Sequence, residues 1–326
     1  MEIKKIINEL VEKAILCKSS DIFFLPKKEK IDVNFRTYMG VVSERSFSLE
    51  QGKEIINYFK YAAQMDISEH RRPQVGAMNF EYQNNEYYLR LSSLGDFTDY
   101  ESLVIRIIYQ IQNSNYFFDE QLEELKSLSL KRGLIITSGP TGSGKTTTMY
   151  ELAKAIGKNK VVMTIEDPVE VHEQTFLQTQ VNSDAGIDYT SLLKAALRHR
   201  PDILIIGEIR DRGTARLAVD AALSGHLVLA TVHAKSTLQT ISRLEGLGIS
   251  KEELANCLTA LSYQRLIPKA KQDRLACLMD LASGEILETD ILKDIRADFV
   301  SWQENLKALR KDKKITDATY KAYQEG

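Results

Sequence analysis

Apolar residues at Ile3, Ile6, Ile7, Leu10, Val11, Ala14 and Ile15 recur in steps of three and four, which predicts an amphipathic helix interrupted by charges. The period then changes. Strand-like pieces at Ile22 to Leu25, Ile31 to Phe35, Ala77 to Tyr82, Glu86 to Leu91 and Leu103 to Ile108 surround a helical pattern near residues 49 to 64, as in a small α+β domain. Tyr109 to Asn115 (YQIQNSN) is polar and without a strong period, so it reads as a linker. The expected division is a first domain over 1–112 and a linker with a lead-in helix over 113–132.

From residue 133 the strands become continuously apolar and alternate with helical segments. LIITS precedes TTTMYELAKAIGK; VVMTI and ILIIG follow; GTARLAVDAALSG leads into LVLATV. Unbroken apolar strands separated by helices predict a parallel sheet covered on both faces, an α/β domain over 133–268. Beyond about residue 236 the chain reads as mostly helical, with a helical region expected over 269–326. Its charged tail, KALRKDKKITDATYKAYQ, reads as a solvated helical surface.

Composition narrows the function classes. A chain of 326 residues holds about two domains. A net charge of −2 gives no global electrostatic reason to coat nucleic acid, so no direct nucleic-acid partner is expected. Cys17, Cys257 and Cys277 are far apart and form no CxxC pair, so they read as ordinary thiols and no structural zinc is expected. The first helix is too charged for a signal peptide, and no apolar run reaches the ~20 residues that span a bilayer. A cytoplasmic protein, or one peripheral to a membrane, is the expectation.

The chemistry enters at Gly139-Pro140-Thr141-Gly142-Ser143-Gly144-Lys145-Thr146, which fits G-x-x-x-x-G-K-[ST], follows the strand Leu134 to Thr137 and opens a helix. Glycines let backbone N–H groups curl around a polyphosphate, and the helix directs its positive end at it. Lys145 supplies a point charge for the β- and γ-phosphates, and Thr146 offers a hydroxyl to magnesium, with Thr147 as a helper. ATP and Mg²⁺ are the implied substrate and cofactor.

In an open parallel sheet, ligands lie beyond the carboxyl ends of the strands. VVMTI exits into Glu166-Asp167-Pro168-Val169-Glu170, ILIIG into Glu208-Ile209-Arg210-Asp211, and LVLATV into His233, so all three exits should face the phosphate loop. Gly207 occupies the place where many P-loop proteins carry a magnesium-linked aspartate. Glu208 therefore suits a general base or water orienter, and Glu166 and Asp167 serve the metal's shell. His233 suits a γ-phosphate sensor, a link from Glu208 to a neighbouring subunit, or a strand-end cap. His226, a second sensor candidate, precedes the same strand and so belongs to its opposite end.

GPTGSGKTTTMY, TIEDPVE, LRHRPDILIIGEIRD and SGHLVLATVHA, in this order and followed by QRLIPK, resemble the nucleotide-site blocks of the secretion-type ATPases that drive type II secretion and type IV pili. A weaker block, SDIFFLP, FRTYMG and YLRLSS…ESLVIRII, resembles that family's N-terminal domain. The resemblance implies a RecA-like P-loop core preceded by a PAS-like α+β domain. It also implies a homo-hexamer at the inner face of the cell membrane, acting on a polytopic platform protein. Arg90 and Arg106 would reach phosphates as the domains close, and Arg210 and Arg198 are further candidates for phosphate or ring contacts. QTQVN and RLEGLGI resemble assembly rather than retraction motors, and the absence of the family's tetracysteine insert resembles the short ATPases that serve competence pili. Pilus retraction and a nucleic-acid-dependent RecA-like motor are the alternatives. Departures at Phe23, in FRTYMG and at Arg200 lie outside the phosphate loop.

Overall fold

The computed structural model describes residues 2–37, 39–109, 114–182, 185–271, 274–294 and 299–326. The chain divides into two compact units, Met1–Gln110 and Ile111–Gly326.

In the first unit, the amphipathic helix α1 (Glu2–Leu16) and α2 (Leu49–Ala62) cover one face of a six-stranded sheet. The strands are β1 (Asp21–Pro26), β2 (Lys30–Thr37), β3 (Gly40–Ser48), β4 (Gln74–Tyr82), β5 (Asn85–Gly95) and β6 (Glu101–Ile108), in the order β3-β2-β1-β6-β5-β4. Alternation does the sorting: Ile22 and Phe24 of β1, Val33 of β2, Leu89 of β5 and Ile105 of β6 are buried against Leu10, Val11, Ile55 and Phe59 of the helices. The strand β3 has no counterpart in the sequence pattern. Val41 and Val42 stand exposed on this edge strand among polar residues, so it shows no buried alternation.

The second unit is built on a seven-stranded sheet in the order β13-β12-β7-β11-β10-β8-β9. Its strands are β7 (Gly133–Ser138), β8 (Val162–Glu166), β9 (Leu177–Gln180), β10 (Ile203–Ile206), β11 (Leu227–Val232), β12 (Leu258–Pro268) and β13 (Leu275–Ser283). All pair in parallel except β13, which runs antiparallel to β12. Successive residues point to opposite faces, and each face is buried. Leu134, Ile165, Ile206 and Val228 pack with α5 (Tyr189–Arg198), α6 (Arg212–Leu223), α7 (Gln239–Gly246), α8 (Lys251–Cys257) and α9 (Gly284–Leu292). Ile135, Val162, Ile205 and Leu229 pack instead with α3 (Asp119–Leu128) and α4 (Lys145–Ile156).

Two expectations need correction here. The chain after residue 236 is not mostly helical, and 268 is no boundary, because β12 and β13 extend the central sheet. Each strand has a continuous buried stretch, Ala260–Gln264 in β12 and Ala276–Asp280 in β13, and a run buried on both faces lacks the two-residue alternation that distinguishes strand from buried helix. The charged tail is also more than a solvated surface. Trp302, Leu306 and Leu309 of α10 (Trp302–Lys311), with Ile315 before α11 (Asp317–Ala322), are buried against Phe117, Tyr263, Ile267 and Leu278. Charge marks only the outer side of these helices.

Of the expected linker, residues 110–113 lie outside the described residues, Tyr109 belongs to the first unit, and Asn115 accepts from the backbone of Cys277 in the second. Burial pushes the Cys257 thiol up to about 12 and that of Cys277 higher still, which makes both inert packing residues.

Candidate active site

The parallel register sets the site. Ile136, Ala230, Ile206 and Ile165 lie side by side across β7, β11, β10 and β8, so the residues that follow each of them emerge at one carboxyl edge. There a cleft is lined by Thr141, Gly142, Gly144, Lys145, Thr146 and Thr147 of the phosphate loop and α4, by Glu166 at the end of β8 and Asp167, Pro168 and Glu170 after it, by Gly207, Glu208 and Arg210 after β10, and by Thr231 and His233 of β11 and its exit. The three exits expected to face the phosphate loop do so.

The loop is shaped by close approach. Gly139 has φ +141°, and a Cβ there would lie 2.5 Å from the Gln264 carbonyl oxygen of β12. The Gln264 amide donates to Ser143 O at 2.8 Å, so the missed strand β12 buttresses the loop from behind. Lys145 is buried; its Nζ donates to Gly139 O and Pro140 O, each at 2.9 Å. Burial lowers its pKa, and the Glu208 and Glu170 carboxylates oppose that shift. Thr146 Oγ1 donates to Glu170 Oε2 at 3.1 Å.

The two strand-end acids differ in setting. Glu166 is only 2% exposed and accepts a 2.5 Å hydrogen bond from the Tyr150 hydroxyl; burial raises its pKa and that hydrogen bond opposes the rise. Glu208 lies nearer the cleft mouth, with Oε2 accepting from Arg210 Nε at 2.7 Å and Oε1 3.3 Å from His233 Nε2. The other ring nitrogen of His233, Nδ1, is 3.2 Å from Gly139 O, so this histidine joins Glu208 to the start of the phosphate loop. Arg210 reaches Asp167 at 3.6 Å as well, and the Glu208 carboxylate raises the guanidinium's pKa. Gly207 has a physical reason to lack a side chain, because a Cβ would lie 3.2 Å from Glu166 Cγ.

Not every candidate falls here. His226 is not part of the cleft. It lies at the amino end of β11 with Nδ1 3.1 Å from Ala221 O, so the sensor expectation does not hold for it. Arg198 is exposed in the last turn of α5 and lines no part of the cleft. Arg90 and Arg106 belong to the first unit, facing each other across β5 and β6, with Arg106 Nε donating to Asp21 Oδ1 at 3.1 Å. Sequence reading missed Glu170 as a partner of Thr146, although it lies within the quoted block TIEDPVE. It also missed Tyr189 and Leu266, which line the cleft from α5 and β12 without any motif to mark them.

Comparison with known proteins agrees with this geometry. The family described as Type II/IV secretion system protein matches residues 1–303. Competence protein ComGA of Streptococcus pneumoniae is 40% identical over 314 residues, 96% of this chain and 96% of that one. ComGA of Bacillus subtilis is 39% identical over 275 residues, 82% of this chain and 77% of that one. Among solved structures, the pilus retraction motor PilT with bound ADP shares the fold, with a TM-score of 0.77 at 22% identity over 97% of this chain and 96% of that one. With a phosphate loop, two strand-end acids and a histidine gathered at one sheet edge, the chain belongs to the type II/IV secretion system protein family and is one of its ATPases.

Proposed function

We propose that this ATPase is a homo-hexameric motor that powers assembly of a competence pilus or pseudopilus for DNA uptake. It acts on a polytopic platform protein from the cytoplasmic face of the membrane. The observation that carries the chemical part is the convergence of Lys145, Thr146, Glu166, Asp167, Glu208 and His233 at one strand edge. The similarity to two competence proteins named ComGA supports the cellular part. Among the described residues no helix is long and apolar enough to cross a membrane.

In this reading the phosphates replace the loop carbonyls as partners of Lys145. The donor set suits magnesium, being hard oxygens only: the Thr146 hydroxyl and the Glu166 and Asp167 carboxylates. When bound, the ion would neutralise negative charge on the polyphosphate. Thr146, Glu166 and Asp167 would hold the ion together with oxygens of the nucleotide and water. Glu208 orients the attacking water and accepts its proton, the P–O bond to the leaving ADP breaks, and His233 carries the change to the phosphate loop. Closure of the two units around ATP, with Arg90 and Arg106 engaging phosphate, and reopening after hydrolysis make the mechanical stroke.

The test is ATPase rate against protein concentration with magnesium, alongside native mass, for the wild type and Glu208→Gln. Turnover should rise with a hexameric species and fall at least about a hundredfold in the variant at near-normal ATP affinity. Unchanged turnover in the variant would overturn the role of Glu208. In a transformable host, loss of the gene should remove surface pili; pili that persist and lengthen would identify a retraction motor instead.

A further inference from the structure

Tyr150, buried in α4, and Gln178, at the start of β9, touch neither phosphate loop nor cleft mouth, yet both connect to Glu166. We propose that Tyr150 and Gln178 are positioning residues. They form a hydrogen-bond chain of fixed polarity that commits one oxygen of the Glu166 carboxylate to accepting the hydrogen bond of the phenol and so limits how that carboxylate can meet the metal. The inference rests on reading Glu166 as a residue that helps hold magnesium, and it deepens that reading.

The polarity starts from the backbone, where donor and acceptor cannot exchange. The Glu173 N–H donates to Gln178 Oε1 at 2.8 Å, and Gln178 Nε2 donates to Val171 O at 2.7 Å. Together these contacts fix which end of the amide is oxygen and which is nitrogen. The second hydrogen on Nε2 then goes to the Tyr150 hydroxyl oxygen at 2.7 Å. That oxygen, having accepted, has one hydrogen of its own, and it points to Glu166 Oε1 at 2.5 Å. Every donor in the series has one acceptor assigned to it.

Burial makes this ordering matter. Tyr150 has no exposed surface, its ring lies 5.5 Å from that of Phe176, and Glu166 is nearly as enclosed. A phenylalanine would fill the same volume at lower desolvation cost, so the hydroxyl is explained by its partner. On the other side, the missing side chain of Gly207 leaves room for the Glu166 stem and little more. Glu166 Oε1 is therefore occupied as an acceptor, the Thr164 side chain and the Glu170 backbone N–H also act on the carboxyl, and the residue lines the cleft with its coordination options narrowed. Outer-shell hydrogen bonds of this kind typically change metal affinity by about 10–100-fold when removed.

The experiment uses the full chain and three variants, Tyr150→Phe, Gln178→Leu and Glu166→Gln, with a fluorescent ATP analogue titrated in EDTA and then in rising Mg²⁺. For Tyr150→Phe, the half-saturating Mg²⁺ concentration of the nucleotide complex should rise by about 10-fold, the low end of that range. Its affinity in EDTA should stay at the wild-type value, and its melting temperature should fall by no more than about 8 °C, as for the two hydrogen bonds of the hydroxyl. Gln178→Leu should shift the Mg²⁺ requirement in the same direction by less, and it carries the test if Tyr150→Phe does not fold. A Mg²⁺ requirement unchanged in both, while Glu166→Gln raises it, would overturn the inference and leave the role of Glu166 standing. A requirement unchanged in Glu166→Gln would instead remove the reading on which the inference rests.

Discussion

The two sheets of this protein carry their charge in different places. In the antiparallel sheet of the first unit, Arg36, Asp21, Arg106 and Arg90 are lateral neighbours on β2, β1, β6 and β5, on the face opposite buried Ile22, Phe24, Leu89 and Ile105. Asp21 lies between two of the arginines, 3.6 Å from Arg36 and 3.1 Å from Arg106. The parallel sheet of the second unit has no free face, because helices cover both sides, and its functional charge appears only where strands end. An open antiparallel face displays side chains as a surface, whereas a covered parallel sheet concentrates them at its carboxyl edge, next to a helix N-terminus that attracts anions. The proposed function assigns these places different tasks, binding and cleavage to the edge and supply of cations to the arginine-bearing face.

The sharpest test of that division is the double substitution Arg90→Ala with Arg106→Ala. If the open face supplies phosphate contacts, steady-state turnover should fall by about 10³-fold while ATP affinity changes little. A loss below tenfold would reduce the row to surface ion pairs, each contributing about 1 kcal/mol or less to stability. Next come the cores. Leu103→Ala and Leu229→Ala, both fully buried, should each cost about 2–5 kcal/mol in urea unfolding, with nucleotide affinity untouched by the first. A loss of nucleotide affinity in Leu103→Ala would make ATP binding depend on the core of the first unit. Lys145→Ala should weaken ATP binding by about 100-fold, or about 2.7 kcal/mol, in a fluorescence titration, and normal affinity would contradict the phosphate cradle.

The smallest effect concerns α5. Asp188 caps it through the Ser191 N–H at 2.7 Å, which holds its carboxyl below the usual carboxylate range. A lowered folded pKa contributes stability above the unfolded value of about 3.9 and loses it as pH falls through the folded one. The urea midpoint should therefore fall less between pH 5 and pH 3 in Asp188→Asn than in the wild type, and identical pH profiles would remove this contribution.

What could be read from the sequence follows from how local each signal is. The phosphate loop, the strand exits and the paired apolar strands are features of short contiguous segments, and they place Lys145, Thr146, Glu166, Glu208 and His233 correctly at one edge. The distinction between His226 and His233 also follows from strand direction alone. What escaped depends on side chains meeting across the fold. Thr146 with Glu170, Tyr150 with Glu166, and Gln264 behind Ser143 are separated by 24, 16 and 121 residues, and no periodicity links them. The hairpin of β12 and β13 escaped for a different reason: buried on both sides, it shows no alternation.

The contacts of Lys145 also bear on how binding is timed. A free lysine side chain gives up about 2 kcal/mol of rotamer entropy when it is fixed in one place. Here two carbonyls of the loop already hold the ammonium, so that ordering accompanies folding rather than ligand capture. In the proposed role, an arriving polyphosphate would exchange neutral oxygens for anionic ones around an ammonium group that is already held. Little of that ordering would then be left to the moment of capture.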